Sequence, residues 1–462
     1  MASTSKFKND PYAALRVAGF RSYLCGNLLA TIGMQMLGLA VGWELYLATH
    51  SALVLGLAGL CQTLPILLLA IPSGRLVDHF DRKKLLLLDQ LLLGLSAAGL
   101  GCVSLFQNQI PNWTILRLGN GLLASLAGLF HVFRPEQSHF DAPYVPLMLA
   151  LLFFNGIVRS INQPVKQALV PQLVPAKTFF NAVGWNTTVV ESSNIAGRAL
   201  AGLLIAAVQL YFPASPAPCA LVYFLAALGQ LGQWLFLLPV KVTAEPRVWE
   251  PLSTRSFFSG VKFVWDTEVI LGVITLDLFG VLFGGAIALL PMFAQDILHC
   301  GPAGLGWLSA APGLGACVIG VAWAHFPPLQ RAGRTLLLAV AGFGVATIGF
   351  GISQNFLLSM ICLFFCRSVR QYFRNYPPNP GADNDSRRHT RPGFGGQIVV
   401  QFGIQWTGFA RIRPYRHHVW PGAFCSGWRR GRDSGGGGSG GMVAASAAVW
   451  HAARTRRCGA GW

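Results

Sequence analysis

Ten apolar stretches recur down this 462-residue chain, at about 22–47, 52–73, 85–106, 144–165, 182–208, 217–239, 267–291, 304–324, 335–353 and from about 356 onward. A run of about 20 apolar residues crosses a hydrocarbon core of about 30 Å. Lipid offers the backbone no outside hydrogen-bond partner, so each stretch is expected to be a helix. Apolar residues make up 53% of the chain and charged ones only 11%, against about 25% charged in a soluble domain. That excludes a disordered chain and argues against a soluble enzyme.

Function classes fall away in turn. The ten cysteines show no CxxC pair and no metal-ligand spacing with histidine, so no metal, redox centre or other cofactor is expected. There is no GxxxxGK[ST] loop to cradle ATP phosphates, and no nucleophile–base pair arises from spacing, so the chain reads as no enzyme. The polar N-terminus lacks a signal-peptide pattern, and the first apolar stretch is expected to remain as an anchor.

Positive charge orients the spans. Lys6, Lys8, Arg16 and Arg21 precede the first, Arg75, Arg82, Lys83 and Lys84 follow the second, and Lys166 and Lys177 follow the fourth. Lys241, Arg247, Arg255 and Lys262 follow the sixth, and Arg331 and Arg334 the eighth. All fall on one side if each stretch crosses once, which places the N-terminus in the cytoplasm. Arg117 and Arg134 are the exceptions, both in the long segment 107–143. That segment is expected to be an outer loop with a short interfacial helix, because an extra span would invert every later loop.

The chain changes character near Cys366. Residues 1–366 carry 20 Lys and Arg and 14 Asp and Glu, while residues 367–462 carry 15 Arg, no Lys and 3 Asp. A basic tail of this kind ordinarily suggests nucleic acid or anionic lipid. A shifted reading frame explains it better. Permitted codons for Cys366–Gly408, read one base later, yield an apolar helix followed by a charged loop containing TPDDTRGRVSAV. The tail then says nothing about nucleic acid, and the tenth helix is expected to stop after about 11 residues.

A weak internal repeat pairs Gly59 and Pro65 with Gly306 and Pro312, and His79-Phe80 with His325-Phe326, at an offset of about 247 residues. Two parallel related halves are a transporter architecture.

The segment after the second span reads Gly74-Arg-Leu-Val-Asp78-His-Phe-Asp-Arg82-Lys83-Lys84. It resembles the G-x-x-x-D-x-x-x-R-K/R loop of the major facilitator superfamily, with His79 where the family usually has Arg. The spacing sets Asp78 near the start of the following helix, where a carboxylate is favoured, and leaves Arg82 and Lys83 able to pair with acids of neighbouring helices. The resemblance implies a cytoplasmic gating latch at Gly74, Asp78, Arg82 and Lys83; a plain positive-inside anchor is the alternative. Further stretches, Trp43-Glu-Leu-Tyr46, Pro164-Val-Lys166-Gln167 and Leu289-Leu-Pro291, look like the bacterial branch that includes the enterobactin exporter. The resemblance covers about residues 10–366. It implies an all-α integral membrane protein of two six-helix bundles, with about 10 of 12 spans present. The expected layout is a cytoplasmic N-terminus over 1–21, a first bundle over 22–239, a linker over 240–266, a partial second bundle over 267–366 and an out-of-frame tail over 367–462.

An ionisable group inside a span is costly and marks a functional candidate. Asp277, about ten residues into the seventh stretch, is the first candidate for proton coupling, with a structural acid as the alternative. Glu44, toward the far end of the first stretch, serves either coupling or an outer gate. Glu191 and Arg198 share a face of the fifth, about 10.5 Å apart along the axis. Arg198 stands where the resemblance expects proline in G-P-A-x-x-G, and reads either as an anion-binding group or as a damaging change. Arg159 is expected to snorkel to the cytoplasmic interface, and Asp89 and Gln90 to support the basic loop.

The resemblance implies a secondary active transporter of the bacterial inner membrane, exporting a small amphipathic or siderophore-like molecule in exchange for protons. Its expected partners are the bilayer, a small-molecule substrate and protons, without nucleic acid, and it is expected to act as a monomer. A non-transporting binding or assembly protein and a nonfunctional frameshifted product are the competing readings.

Overall fold

Helices account for almost all of the described structure, and no strand occurs among the described residues. The computed structural model describes residues 12–110, 114–129, 142–242 apart from 214 and 216, 285–323 and 332–374, together with 265, 271, 272 and 275. These lie in one unit, residues 1–410; a second, 411–462, lies outside the described residues.

Five of the first six apolar stretches each form one helix, most of these longer than their apolar runs, and the second forms two. α1 spans Ala18–Thr49, α2 Ala52–Leu68, α3 Ala70–His79, α4 Arg82–Leu105, α5 Thr114–Leu129, α6 Val145–Leu173, α7 Phe179–Tyr211 and α8 Ala220–Leu237. α1, α4, α6, α7 and α8 are each long and apolar enough to cross a bilayer. α1 lies against α7 and α8, α4 against α6 and α8, and α2 against α6.

Lipid tails are as apolar as leucine, so close backbone approach is a main source of attraction between such helices. Small residues permit it here. A Cβ added at Gly33 would lie 2.9 Å from the Ala226 carbonyl oxygen, joining α1 to α8, and one at Gly156 would lie 2.6 Å from the Gln62 carbonyl oxygen, joining α6 to α2. Trp43, Tyr23 and Tyr223 are fully buried between the helices, whereas Leu88, Leu95, Leu228 and Leu235 are more than half exposed. An apolar exterior of this kind suits lipid.

Three local expectations are corrected. The second stretch breaks at Leu69, whose amide bonds the Pro65 carbonyl, and what was expected as a loop is the helix α3. Gly74 and Asp78 therefore sit on a helix, and Asp81 rather than Asp78 caps α4, accepting from the Lys83 and Lys84 amides at 2.9 and 3.3 Å. α6 continues to Leu173, which places Lys166 inside a helix and not in a loop.

Within the segment 107–143, α5 is a 16-residue helix, about 24 Å long and shorter than the hydrocarbon core. It meets the first turn of α6, where Asn120 Nδ2 donates to the Ala142 carbonyl at 3.2 Å and Gly119 approaches Pro146.

The seventh stretch lies largely outside the described residues. Its end runs through a 3-10 turn at Gly285–Leu289, one helical turn at Leu290–Met292 and a π turn at Phe293–Ile297. α9, Gly301–Trp323, then packs against α7 and α11, and α10, Ala332–Ile352, packs against α11. α11 runs from Phe356 to Arg374, so the helix does not stop near Cys366 as expected.

Candidate functional site

Gly202 on α7 and Gly306 on α9 bring together two helices far apart in the chain. A Cβ at Gly202 would lie 2.5 Å from the Pro302 carbonyl oxygen and 2.6 Å from Gly306 Cα. Further along, a Cβ at Gly313 would lie 2.6 Å from Ile195 Cγ1. Seven residues of α7 separate Ile195 from Gly202, about 10.5 Å of contact. At the same end, Tyr46 on the last turn of α1 donates to the Asp296 carboxylate. Gly42 on α1 meets the Pro291 ring, which a Cβ there would approach to 3.3 Å.

Beside these contacts lies a cavity of about 260 Å3. α1 contributes Gln35 and Gly38, α2 contributes Gln62, α7 contributes Arg198, and the other half contributes Pro291 and Ser309. Arg198 reaches this wall from the middle of α7, a helix that runs unbroken from Phe179 to Tyr211. Its Nε donates to Gln35 Oε1 at 3.1 Å and its Nη1 to the Ser309 carbonyl at 3.2 Å. One guanidinium on α7 thus bonds both α1 and α9. Gln62 is held from behind, accepting from Arg159 Nη1 at 3.1 Å. Arg159 is therefore partly buried within the helices, and its expected reach to the interface is corrected. The short polar partner at Gln62 satisfies it locally.

The other candidates separate. Glu44 is buried and faces Ser104 on α4 and Tyr223 on α8, away from the residues that line the cavity. Its Oε2, Ser104 Oγ and Tyr223 OH form no hydrogen bond of normal geometry. Glu191 is partly exposed on α7 and accepts from Asn194 on its own helix at 3.4 Å. Asp277 lies outside the described residues.

The basic cluster after α3 braces the first half. Arg82 Nη1 donates to the Ala168 carbonyl of α6 at 3.1 Å, and Lys83 Nζ to the Leu238 carbonyl at the end of α8 at 2.8 Å. Both partners are backbone carbonyls where acids were expected. A cation at a helix C-terminus meets its unsatisfied carbonyls and the negative end of the dipole.

Sequence reasoning undervalued Asp89. It is 3% exposed on α4 and accepts from Asn162 on α6 and from Gln90 Nε2 at 3.0 Å, with Lys166 and Arg159 acting on it electrostatically. The signal was available: an acid inside an apolar run, matched by Arg159, Asn162 and Lys166 at helical spacing on α6. Gln35, Gln62 and the Tyr46–Asp296 bond had no such signal, because glutamine and tyrosine in a span are unremarkable until their neighbours are known.

Comparison with known proteins agrees with this architecture. The profile of the Major Facilitator Superfamily matches residues 23–373. The enterobactin exporter of Shigella boydii serotype 4 is 23% identical over 344 residues, 74% of this chain and 72% of that protein. The enterobactin exporter of Citrobacter koseri is 24% identical over the same shares. The crystal structure of a bacterial homologue of the iron transporter ferroportin, in an inward-facing state, superposes with a TM-score of 0.53 at 16% identity, covering 78% of this chain and 82% of that one. With helices long and apolar enough to cross a bilayer and a profile match over most of its length, the chain belongs to the Major Facilitator Superfamily of membrane transporters.

Proposed function

We propose that this secondary transporter exports a small amphipathic or siderophore-like molecule across the bacterial inner membrane in exchange for protons, as a monomer with its N-terminus in the cytoplasm. The observation that carries the reading is the cavity between halves, closed at one end by Tyr46–Asp296, Gly42–Pro291 and Gly202–Gly306. The distribution of basic loops supports an outer position for that end, and with it a cavity reached from the cytoplasm, as export of a substrate collected there requires. The two halves correspond to residues 22–239 and 267–366, joined by the linker 240–266. The similarity to exporters of enterobactin supports the substrate class. Asp277, Glu44 and Asp89 are the carboxylates from which the proton site is to be drawn.

The test is release of enterobactin from bacteria that lack their own exporter. Expressing the full chain is expected to restore release, and a protonophore to abolish it. Release that survives collapse of the proton gradient removes proton coupling; absence of release with the chain in the membrane removes the export reading.

A second reading rests on the tail. The family match ends at residue 373, close to where the arginine-rich segment 367–462 begins, and this supports a shifted frame after about residue 366. Sequencing the codons for residues 363–370 tests it. A neighbouring frame that continues as an apolar helix and two more spans supports the shift, and early stop codons overturn it.

A further inference from the structure

We propose that Asp89 is the carboxylate that takes up the transporter's proton, and that Arg159 passes its change of charge to Gln62 in the cavity wall. The inference rests on the transporter reading above and names the proton site within it.

Asp89 is 3% exposed on α4, and both amides that reach it, from Asn162 on α6 and from Gln90, bond the same oxygen, Oδ2. Oδ1 is buried and has no hydrogen-bond partner among the described residues, and neither has Oε1 of Gln90. Buried acceptors without a donor are costly. These two belong to side chains already joined through Gln90 Nε2 and Asp89 Oδ2. A proton on Oδ1 supplies the missing donor. Given to Gln90 Oε1, it closes the paired bonds that a carboxylic acid makes with an amide and satisfies both atoms.

The charges that act on Asp89 come from α6, where Arg159 and Lys166 face it. α8, the other helix packed against α4, carries no charged side chain. The basic residues that open α4 stand more than a helical turn back, with Arg82 and Lys83 engaged by the Ala168 and Leu238 carbonyls. Uptake of a proton therefore leaves two cations facing a neutral acid. Of the two, Arg159 also donates to Gln62 Oε1 at 3.1 Å, and Gln62 lines the cavity. Gly156, on the turn of α6 before Arg159, pins the two helices beside this bond, since a Cβ there would stand 2.6 Å from the Gln62 carbonyl oxygen. A shift of the guanidinium is then felt by the Gln62 side chain. Charged Asp89 draws Arg159 toward itself; neutral Asp89 releases it toward Gln62. Linkage makes the effect reciprocal, so whatever binds at Gln62 changes the proton affinity of Asp89 by the same factor. Glu44 has no such link, because it faces Ser104 and Tyr223, away from the cavity lining.

Infrared difference spectra of the full chain in lipid nanodiscs follow protonated carboxyl groups through a pH titration. A titrating band is expected that Asp89→Asn removes and that Glu44→Gln and Asp277→Asn retain. A band lost with Glu44 or Asp277 instead overturns the proposal with Asp89 left in place, so no Asp89 variant has to fold. Gln62→Leu is expected to lower the proton affinity of the Asp89 band by about fivefold, the lower end of ordinary coupling between sites, because Arg159 without its amide partner turns wholly to the carboxylate. Arg159→Met is expected to raise the affinity and to make Gln62→Leu silent. Gly56→Ala, on the same helix as Gln62 but with nothing within 4 Å of the added Cβ, is expected to leave the midpoint where it was. An unmoved midpoint in a folded Gln62→Leu overturns the link to the cavity. Release of enterobactin, in the assay above, separates this from the broader reading. Release that still follows the proton gradient in a folded Asp89→Asn overturns the proposal and leaves transport; a band that responds to Gln62 without any release removes the export reading and leaves the proton site.

Discussion

The Tyr46 hydroxyl on the last turn of α1 donates to the Asp296 carboxylate in the π turn that precedes α9, 250 residues away in the chain. It joins α1 to the segment before α9, near the close approach of Gly202 to Gly306. A hydrogen bond to a charged acceptor contributes about 1.5–3 kcal/mol, so Tyr46→Phe is expected to shift the closed–open equilibrium at this end by roughly 10- to 100-fold toward open. Hydrogen–deuterium exchange is expected to quicken at the end of α1 and over residues 293–306. Unchanged exchange there removes the bond from the closure.

Gly202→Ala tests the helix crossing. The added methyl has no room against Pro302 and Gly306, and overpacking of this kind costs about 1–3 kcal/mol. Thermal unfolding is expected to fall by several degrees. Gly56→Ala is the control, because a Cβ there meets nothing within 4 Å and alanine favours the helix by about 1 kcal/mol. Its Tm is expected to hold or rise.

The buried cluster on α4 and α6 behaves as a unit. Asp89→Ala leaves Lys166 and Arg159 without the carboxylate they face, and breaking a buried pair on one side costs about 3–5 kcal/mol. Lys166→Met in the same background is expected to recover part of that loss. A double-mutant cycle on unfolding measures the coupling; additive effects would mean that the two groups do not interact.

Asp81 is expected to matter to folding where Asp78 was expected on spacing. Asp81→Ala removes the acceptor for two amides at the start of α4, a loss of about 0.5–2 kcal/mol, and Asp81→Ser is expected to restore most of it. An Asp81→Ala protein as stable as the parent would show that the cap contributes nothing.

Much of this protein was legible in its residue order. The helical, membrane-crossing class followed from apolar run length, because a backbone in lipid must satisfy itself. Arg198 read as the group that broke its surroundings' pattern. Boundaries were less legible. Arg82 through Lys84 and Lys166 through Leu173 are helical beyond their apolar runs, since hydrogen bonding continues a helix past the edge of its hydrophobic face.

Roles were the least legible. Asp81 and Asp78 are both acids near a helix start, and only the break at Phe80 decides which one caps. Arg159 could have reached the interface; Gln62, 97 residues away, holds it inside. Local periodicity dictates which face of a helix is apolar, so the sequence by itself determined that this chain lies in a membrane as packed helices. Which polar groups meet depends on contacts between residues far apart in the chain. The tertiary structure therefore decided that Arg198, Gln35 and Ser309 share one cavity wall, and that Tyr46 closes on Asp296.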